Sequence, residues 1–222
     1  ASDMEVPLIG EFMASRWAYE ALAVTQFKDN PYEKHFFQYE QLQKYANYYQ
    51  TYVIPKLYDL IDDVEAHKAN KSDSALVLNN MTVICNETKV ISLLLGSSLP
   101  ENTIPTFCPS DNQIADLKVF LNNANKRFMV WYRYSTNKRD SVVKALVKKM
   151  GSVEDVLKLK QQYFNKQLAF VVTNEKELYD FSIQNGKILP LKDAIYRYPQ
   201  SANGRAHYYA PVKRVGKWLI DT

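Results

Sequence analysis

From Ser15 to Val172 apolar and aromatic residues return every three or four positions, the period of helices packed on one face. Ser15 is placed to cap a first helix running to about Lys28. Asn30-Pro31-Tyr32-Glu33 then restarts the chain, with an N-cap side chain, a proline at the first helical position and a glutamate spaced to reach back. The next stripe is Leu42, Tyr45, Tyr49 and Tyr52, continuing past an expected kink at Pro55 through Leu57, Ile61 and Val64. Tyr48 falls off that stripe and is expected to point elsewhere. A third helix is predicted from Asp73 to about Leu95, where Gly96 ends it, and Pro100, Pro105 and Pro109 mark Ser97–Pro109 as a linker.

Ser110 followed by Gln113 is a capping-box pattern, and it opens the stripe Ile114, Leu117, Leu121, Ala124, Phe128, Trp131. That helix is expected to reach Met150. Gly151 closes it, and Ser152 with Asp155 opens another that keeps its period through Val156, Leu157, Tyr163 and Phe164 to about Val172. From Asn174 the period is lost. Lys187–Leu191, Ala194–Tyr198 and His207–Val212 favour extended structure, interrupted by Pro190, Pro199 and Pro211, so a short β-hairpin is expected there. The predicted fold class is all-α: a bundle of long kinked helices with an irregular C-terminal arm. It is read as one soluble helical domain, with an acidic helical half over 1–96, a Pro-rich linker over 97–109, a basic helical half over 110–173 and the arm over 174–222.

Composition narrows the chemistry. Six glycines stand against 16 tyrosines in 222 residues, and no G-x-x-x-x-G-K or G-x-G-x-x-G occurs among them, so a Gly-rich phosphate loop is excluded. Neither H-E-x-x-H nor G-x-S-x-G is present, and His35, His67 and His207 lie far apart, so catalytic and metal sites have no anchor. No catalytic, cofactor-binding or metal-binding residue is therefore assigned. Cys85 and Cys108 are compatible with one disulfide or with two thiols. Tyr45, Tyr48, Tyr49, Tyr52 and Tyr58 on one helix suit an aromatic ligand platform, but core packing accounts for most of them. Asn70, Asn80 and Asn86 begin N-x-S/T sequons.

Charge is unevenly spread. Residues 1–110 carry eight Lys/Arg against fourteen Asp/Glu, whereas the segment from Lys118 to Lys149 holds nine bases and only Asp140 as an acid. The plain reading is a solvated helix face that balances Asp59, Asp62, Asp63 and Glu65. An alternative is a free-standing helical interaction module that binds an anionic partner such as nucleic acid through this stripe. Phe128 and Trp131 belong to the core face, however, which takes them away from base stacking and disfavours nucleic acid as a partner.

One segment carries more information: Ala14-Ser15-Arg16-Trp17-Ala18-Tyr19-Glu20-Ala21-Leu22-Ala23-Val24-Thr25-Gln26-Phe27. It resembles the P-x-x-Y-A-x-E-A-L stretch and following E/Q-F pair that come after the fifth membrane helix in the permease half of G-subfamily (White-type, ABC-2 permease) ABC transporters and their bacterial relatives. Ala18, Glu20, Ala21, Leu22 and Phe27 match; Trp17 stands for the usual Tyr, Gln26 for the usual Glu, and Ala14 for the usual Pro. Gly204 to Pro211 and Gly216 to Thr222 look like the approach to the last membrane helix in such bacterial proteins. The resemblance covers about fourteen residues at one end and about nineteen at the other.

What the resemblance implies is a non-catalytic extracytoplasmic (periplasmic) domain between the last two membrane helices of an ATP-driven exporter. Further chain is then expected on both sides. Its partners would be the remaining membrane helices, the ATPase domain and the membrane surface, with a dimer in the full-length protein. ATP and magnesium would be used by that larger protein, with no cofactor in this chain. Arg16, Trp17, Tyr19, Glu20, Phe27, Lys217 and Trp218 are the expected membrane-proximal residues, since aromatic rings beside long cationic side chains suit a bilayer boundary.

Overall fold

A computed structural model describes residues 13–70, 74–97, 110–197, 209–215 and 218–221. The fold is all-α, with helices α1 (Ala14–Lys28), α2 (Phe37–Tyr48), α3 (Ile54–Asn70), α4 (Ser74–Leu95), α5 (Asp111–Met150), α6 (Val153–Tyr163) and α7 (Lys166–Val172). Two antiparallel pairs follow, β1 (Phe181–Gln184) with β2 (Lys187–Pro190), and β3 (Val212–Val215) with β4 (Trp218–Asp221).

Local chemistry accounts for the boundaries. Met13, extended at φ −90° and ψ 104°, is the N-cap of α1, and its carbonyl accepts from Arg16 N and Trp17 N. Ser15 therefore sits inside the first turn and does not cap it. Asn30 works in both directions: its amide donates to the Phe27 and Gln26 carbonyls at 2.7 and 3.1 Å, while its Oδ1 accepts from Tyr32 N and Glu33 N at 2.9 and 2.8 Å. It stops α1 and starts a 3-10 turn, Glu33–His35, so the regular helix begins only at Phe37.

The expected kink at Pro55 takes the form of a π turn over Tyr49–Val53, in which Ile54 N donates five residues back to the Tyr49 carbonyl. Pro55 brings no N–H, and in a regular helix its ring would strike the Thr51 carbonyl; widening the preceding turn relieves that collision. Helix α4 ends as expected, with Gly96 at φ +57° and Ser97 N donating to the Ser92 carbonyl at 3.1 Å.

The capping box at Ser110 is reciprocal: Ser110 N donates to Gln113 Oε1 at 2.8 Å, and Gln113 N donates to Ser110 Oγ at 3.3 Å. Helix α5 then runs unbroken for 40 residues, roughly 60 Å at 1.5 Å per residue. Ser152 caps α6 by accepting from Asp155 N at 3.1 Å. The single helix expected from Ser152 to Val172 is two. Asn165 Oδ1 captures Gln167 N and Leu168 N at 3.0 and 3.1 Å, and these local bonds replace helical ones.

In the C-terminal region Asn185 and Gly186, at φ 51° and 70°, form the two-residue turn between β1 and β2, an Asn-Gly signal lying just ahead of the segments expected to be extended. Ala194–Tyr196 is a 3-10 turn, not a strand, because Asp193 is left-handed at φ 60° and its carbonyl accepts from Tyr196 N at 3.0 Å.

The chain divides into two compact units. The first comprises residues 1–45, 132–180 and 191–222. Its core joins Ala23, Val24 and Phe27 of α1 to Phe37, Val172, Ile195 and Tyr196, and a second cluster joins Phe36 to Leu146 and Val156. The second unit comprises 46–131 and 181–190, with Tyr49, Leu57, Ile61, Ile84, Ile91, Leu121 and Phe128 buried. Here β1–β2 lies against α4: Asn86 donates to the Gly186 carbonyl at 2.8 Å, and Ile188 N donates to buried Glu87 at 2.8 Å. A Cβ on Gly186 would stand 2.8 Å from Thr82 Cγ2. Gly186→Ala is therefore expected to cost about 1–3 kcal/mol, combining left-handed strain with overpacking. Urea denaturation of the variant beside the parent checks this.

Candidate functional site

Within the first unit, α1 meets the C-terminal segment through a carboxylate. Glu20 is 1% exposed; one of its oxygens accepts from Arg16 and the other from Tyr209 N at 3.0 Å. Arg16 also lies over the Trp17 ring at 4.1 Å from its centroid. Tyr209 holds φ at 64°, meets the Tyr19 ring edge-on at 6.4 Å, and is followed by buried Ala210. Residues 189 positions apart thus meet at one carboxylate.

The expected membrane-proximal set divides accordingly. Tyr19 and Trp218 are exposed, Trp218 at 68%, and Leu22 joins Tyr19 on the outer side of α1. Glu20 and Phe27 face inward, contrary to the expectation of an interfacial face. Phe27 is a core residue, with Phe37, Phe164 and Tyr196 around it at 6.1–6.4 Å between ring centroids, because α7 packs on that side of α1. Lys217 lies outside the described residues, as do His207 and Cys108. Cys85 is half-buried on α4, and burial pushes its thiol above the usual value, with Lys89 opposing.

The tyrosine platform resolves into packing. Tyr49 stacks on Phe128 at 4.7 Å and 10°, and the Tyr58 hydroxyl donates to the Lys118 carbonyl at 3.1 Å. Tyr48, expected to point elsewhere, is buried, because β1–β2 covers its side of the helix and its hydroxyl donates to the Ile188 carbonyl at 3.2 Å. The crevice among Ile61, Val64, Met81, Ile84, Ile114 and Leu117 carries Gln113 as its polar residue and no tyrosine.

Along α5, Lys118 spans Asp62 and Glu65 at 3.1 and 2.9 Å, linking the basic stripe to the acidic run of α3. Lys126, Arg127, Arg133, Lys144, Lys148 and Lys149 are exposed and form no ion pair among the described residues. Phe128 is fully buried, closed to a base, and makes an edge contact with half-buried Trp131. The Asn80 side chain is buried, and the Asn86 amide is already engaged with Gly186.

A buried polar cluster beside the α1–α2 joint has no counterpart among the site residues the sequence singles out. Glu33 is 4% exposed, and its Oε2 has no hydrogen-bond partner among the described residues. Burial, and next the charge of Glu40, push its carboxyl up to about 7, with Lys160 and Arg139 opposing. Glu40 accepts from the Tyr196 hydroxyl at 3.0 Å and lies 3.9 Å from Arg139. Burial and the same two glutamates hold the Tyr196 phenol far above its usual value. Glu33 reads as a helix-start residue in the sequence, and nothing there signals its burial. Glu87, buried beneath β2, is raised to about 6 by desolvation against the Ile188 hydrogen bond.

Among the described residues no three His, Cys, Asp or Glu gather where a metal ion could sit, and no helix is long and apolar enough to cross a membrane. No protein family matches the chain, and neither a curated protein nor a solved structure matches it.

Proposed function

We propose that this chain is a non-catalytic extracytoplasmic domain of an ATP-driven ABC-type exporter, carried between its last two membrane helices, where it caps or gates the export path or docks a substrate or partner. The observation that carries the reading is the Glu20 tie. A domain inserted between two membrane helices must return its chain close to where it left, and Tyr209 meets α1 one turn beyond Trp17. Exposed Tyr19, Leu22 and Trp218 supply the aromatic and apolar surface that a bilayer boundary favours. ATP and magnesium act in another part of such a protein, and the remaining membrane helices, the ATPase and a second copy are its partners.

Fractionation of cells expressing the natural full-length product tests this. The expected result is retention in membranes through a carbonate wash, with the region cleaved by protease added to the outer face. Recovery in the soluble fraction overturns it.

A second reading rests on the exposed bases of α5: a helical module that binds an anionic partner. Oligonucleotide binding that falls steeply with salt favours it, and no binding at low salt removes it.

A further inference from the structure

The turn that joins α1 to α2 is held by aromatic and aliphatic packing around an acid. Tyr32 and Phe36 flank Glu33 in sequence and sit with Leu146, Met150 and Val156, from the end of α5 and from α6. Glu33 itself is 4% exposed, and its Oε2 meets no donor among the described residues. An ionised carboxylate in that position has one oxygen with no hydrogen bond to offset its desolvation, and a neutral carboxyl carries a much smaller cost.

The surroundings point to a proton, not a metal ion, as what this acid binds. Glu40 from α2 brings a like charge, but its oxygens are occupied by the Tyr196 hydroxyl and face Arg139 of α5. Lys160 of α6 holds its ammonium 5.6 Å from the Tyr32 ring centroid and 5.3 Å from that of Phe164. With Glu33 neutral, the two resident cations face one ionised carboxylate, Glu40, and a further cation is repelled. His35, in the same turn, is held below its usual value by burial and by Lys34 and Lys149. Its proton is therefore lost at a lower pH than an ordinary histidine's.

We propose that Glu33 is a proton-binding latch: neutral, it keeps the Asn30–Phe36 joint seated on α5 and α6, and ionised, it unseats that joint and frees α1 to move relative to α2. The latch does not depend on the transporter reading. With the carboxyl raised to about 7 from its usual 4.5, the folded chain binds a proton that the unfolded chain has released. Glu33's contribution to stability is therefore whole below about pH 4.5 and is lost as pH rises through 7. The shift corresponds to a change in the folding equilibrium on the order of a hundredfold across that window.

The experiment uses the 222-residue chain in two measurements. Carbon-13 NMR of glutamate carboxyls, with Glu33→Gln to identify the Glu33 signal, is expected to give a midpoint near 7. A signal that titrates in the ordinary carboxyl range overturns the proposal. Hydrogen exchange of the amides from Asn30 to Glu40, corrected for the intrinsic pH dependence of exchange, is expected to show opening that grows from pH 5.5 to 8 in the parent and stays flat in Glu33→Gln. The same rise in both chains overturns it, since His35 or another group would then be responsible. Glu40→Gln is the second variant, and it keeps the test decisive if Glu33→Gln does not fold: with the like charge removed, the highest glutamate midpoint moves down, and an unchanged midpoint overturns the proposal.

Discussion

Glu20→Ala is expected to destabilise the chain by about 2–4 kcal/mol, because one substitution removes a buried carboxylate that accepts from both Arg16 and Tyr209 N. Arg16, whose side chain is only 11% exposed, loses this carboxylate, and Tyr209 N loses the same group in the same step. Both losses fall on one place, so the damage has a direction. The segment after Tyr209 is released from α1, and limited proteolysis of the variant cuts there before the rest of the fold yields. Glu20→Gln separates the two contributions, because an amide oxygen still accepts from Tyr209 N while the charge opposite Arg16 is gone. Urea denaturation of the two variants beside the parent gives the ordering: alanine worst, glutamine between. Equal stability of parent and Glu20→Ala would mean that the carboxylate does not hold the C-terminal segment.

In the second unit the largest effect is expected at Phe128. Its side chain is fully buried, stacked on Tyr49 at 4.7 Å and edge-on to Trp131 at 5.4 Å. Phe128→Ala removes a ring that two aromatic neighbours cannot collapse onto without leaving their own positions, so about 3–5 kcal/mol is lost. Tyr49 opens the π turn, and its ring loses its stacking surface at the point where the helix is already widened. Phe128→Leu keeps much of the volume and is expected to lose less than half as much, by thermal or urea denaturation.

The helices were legible because their signals are local. Ser110 with Gln113, Ser152 with Asp155, and Gly96 after an apolar run each bond within a few residues, so spacing alone predicts them. What escaped the sequence depends on distant partners. Tyr48 looks outward until a hairpin about 140 residues later covers it, and Phe27 looks interfacial until α7 packs over it. Asn165 gives no break in the sequence because the apolar period continues on either side of it; only the competition of its side chain for two backbone N–H groups divides the helix. The candidate site was less legible still. The role of Glu20 requires Tyr209, and the packing of Tyr32 and Phe36 on either side of Glu33 requires α5 and α6, none of which the spacing of nearby residues can supply.

The π turn at Tyr49–Val53 makes the helical run a ratchet with one extra tooth. One additional residue in a turn rotates everything downstream by about 100° relative to a uniform spiral. Leu57, Ile61 and Val64 consequently reach the interior only because that offset precedes them. Shortening the stretch by one residue would carry them round toward solvent and turn Asp62 and Glu65 inward, so alignment gaps at this point mean more than gaps in any loop.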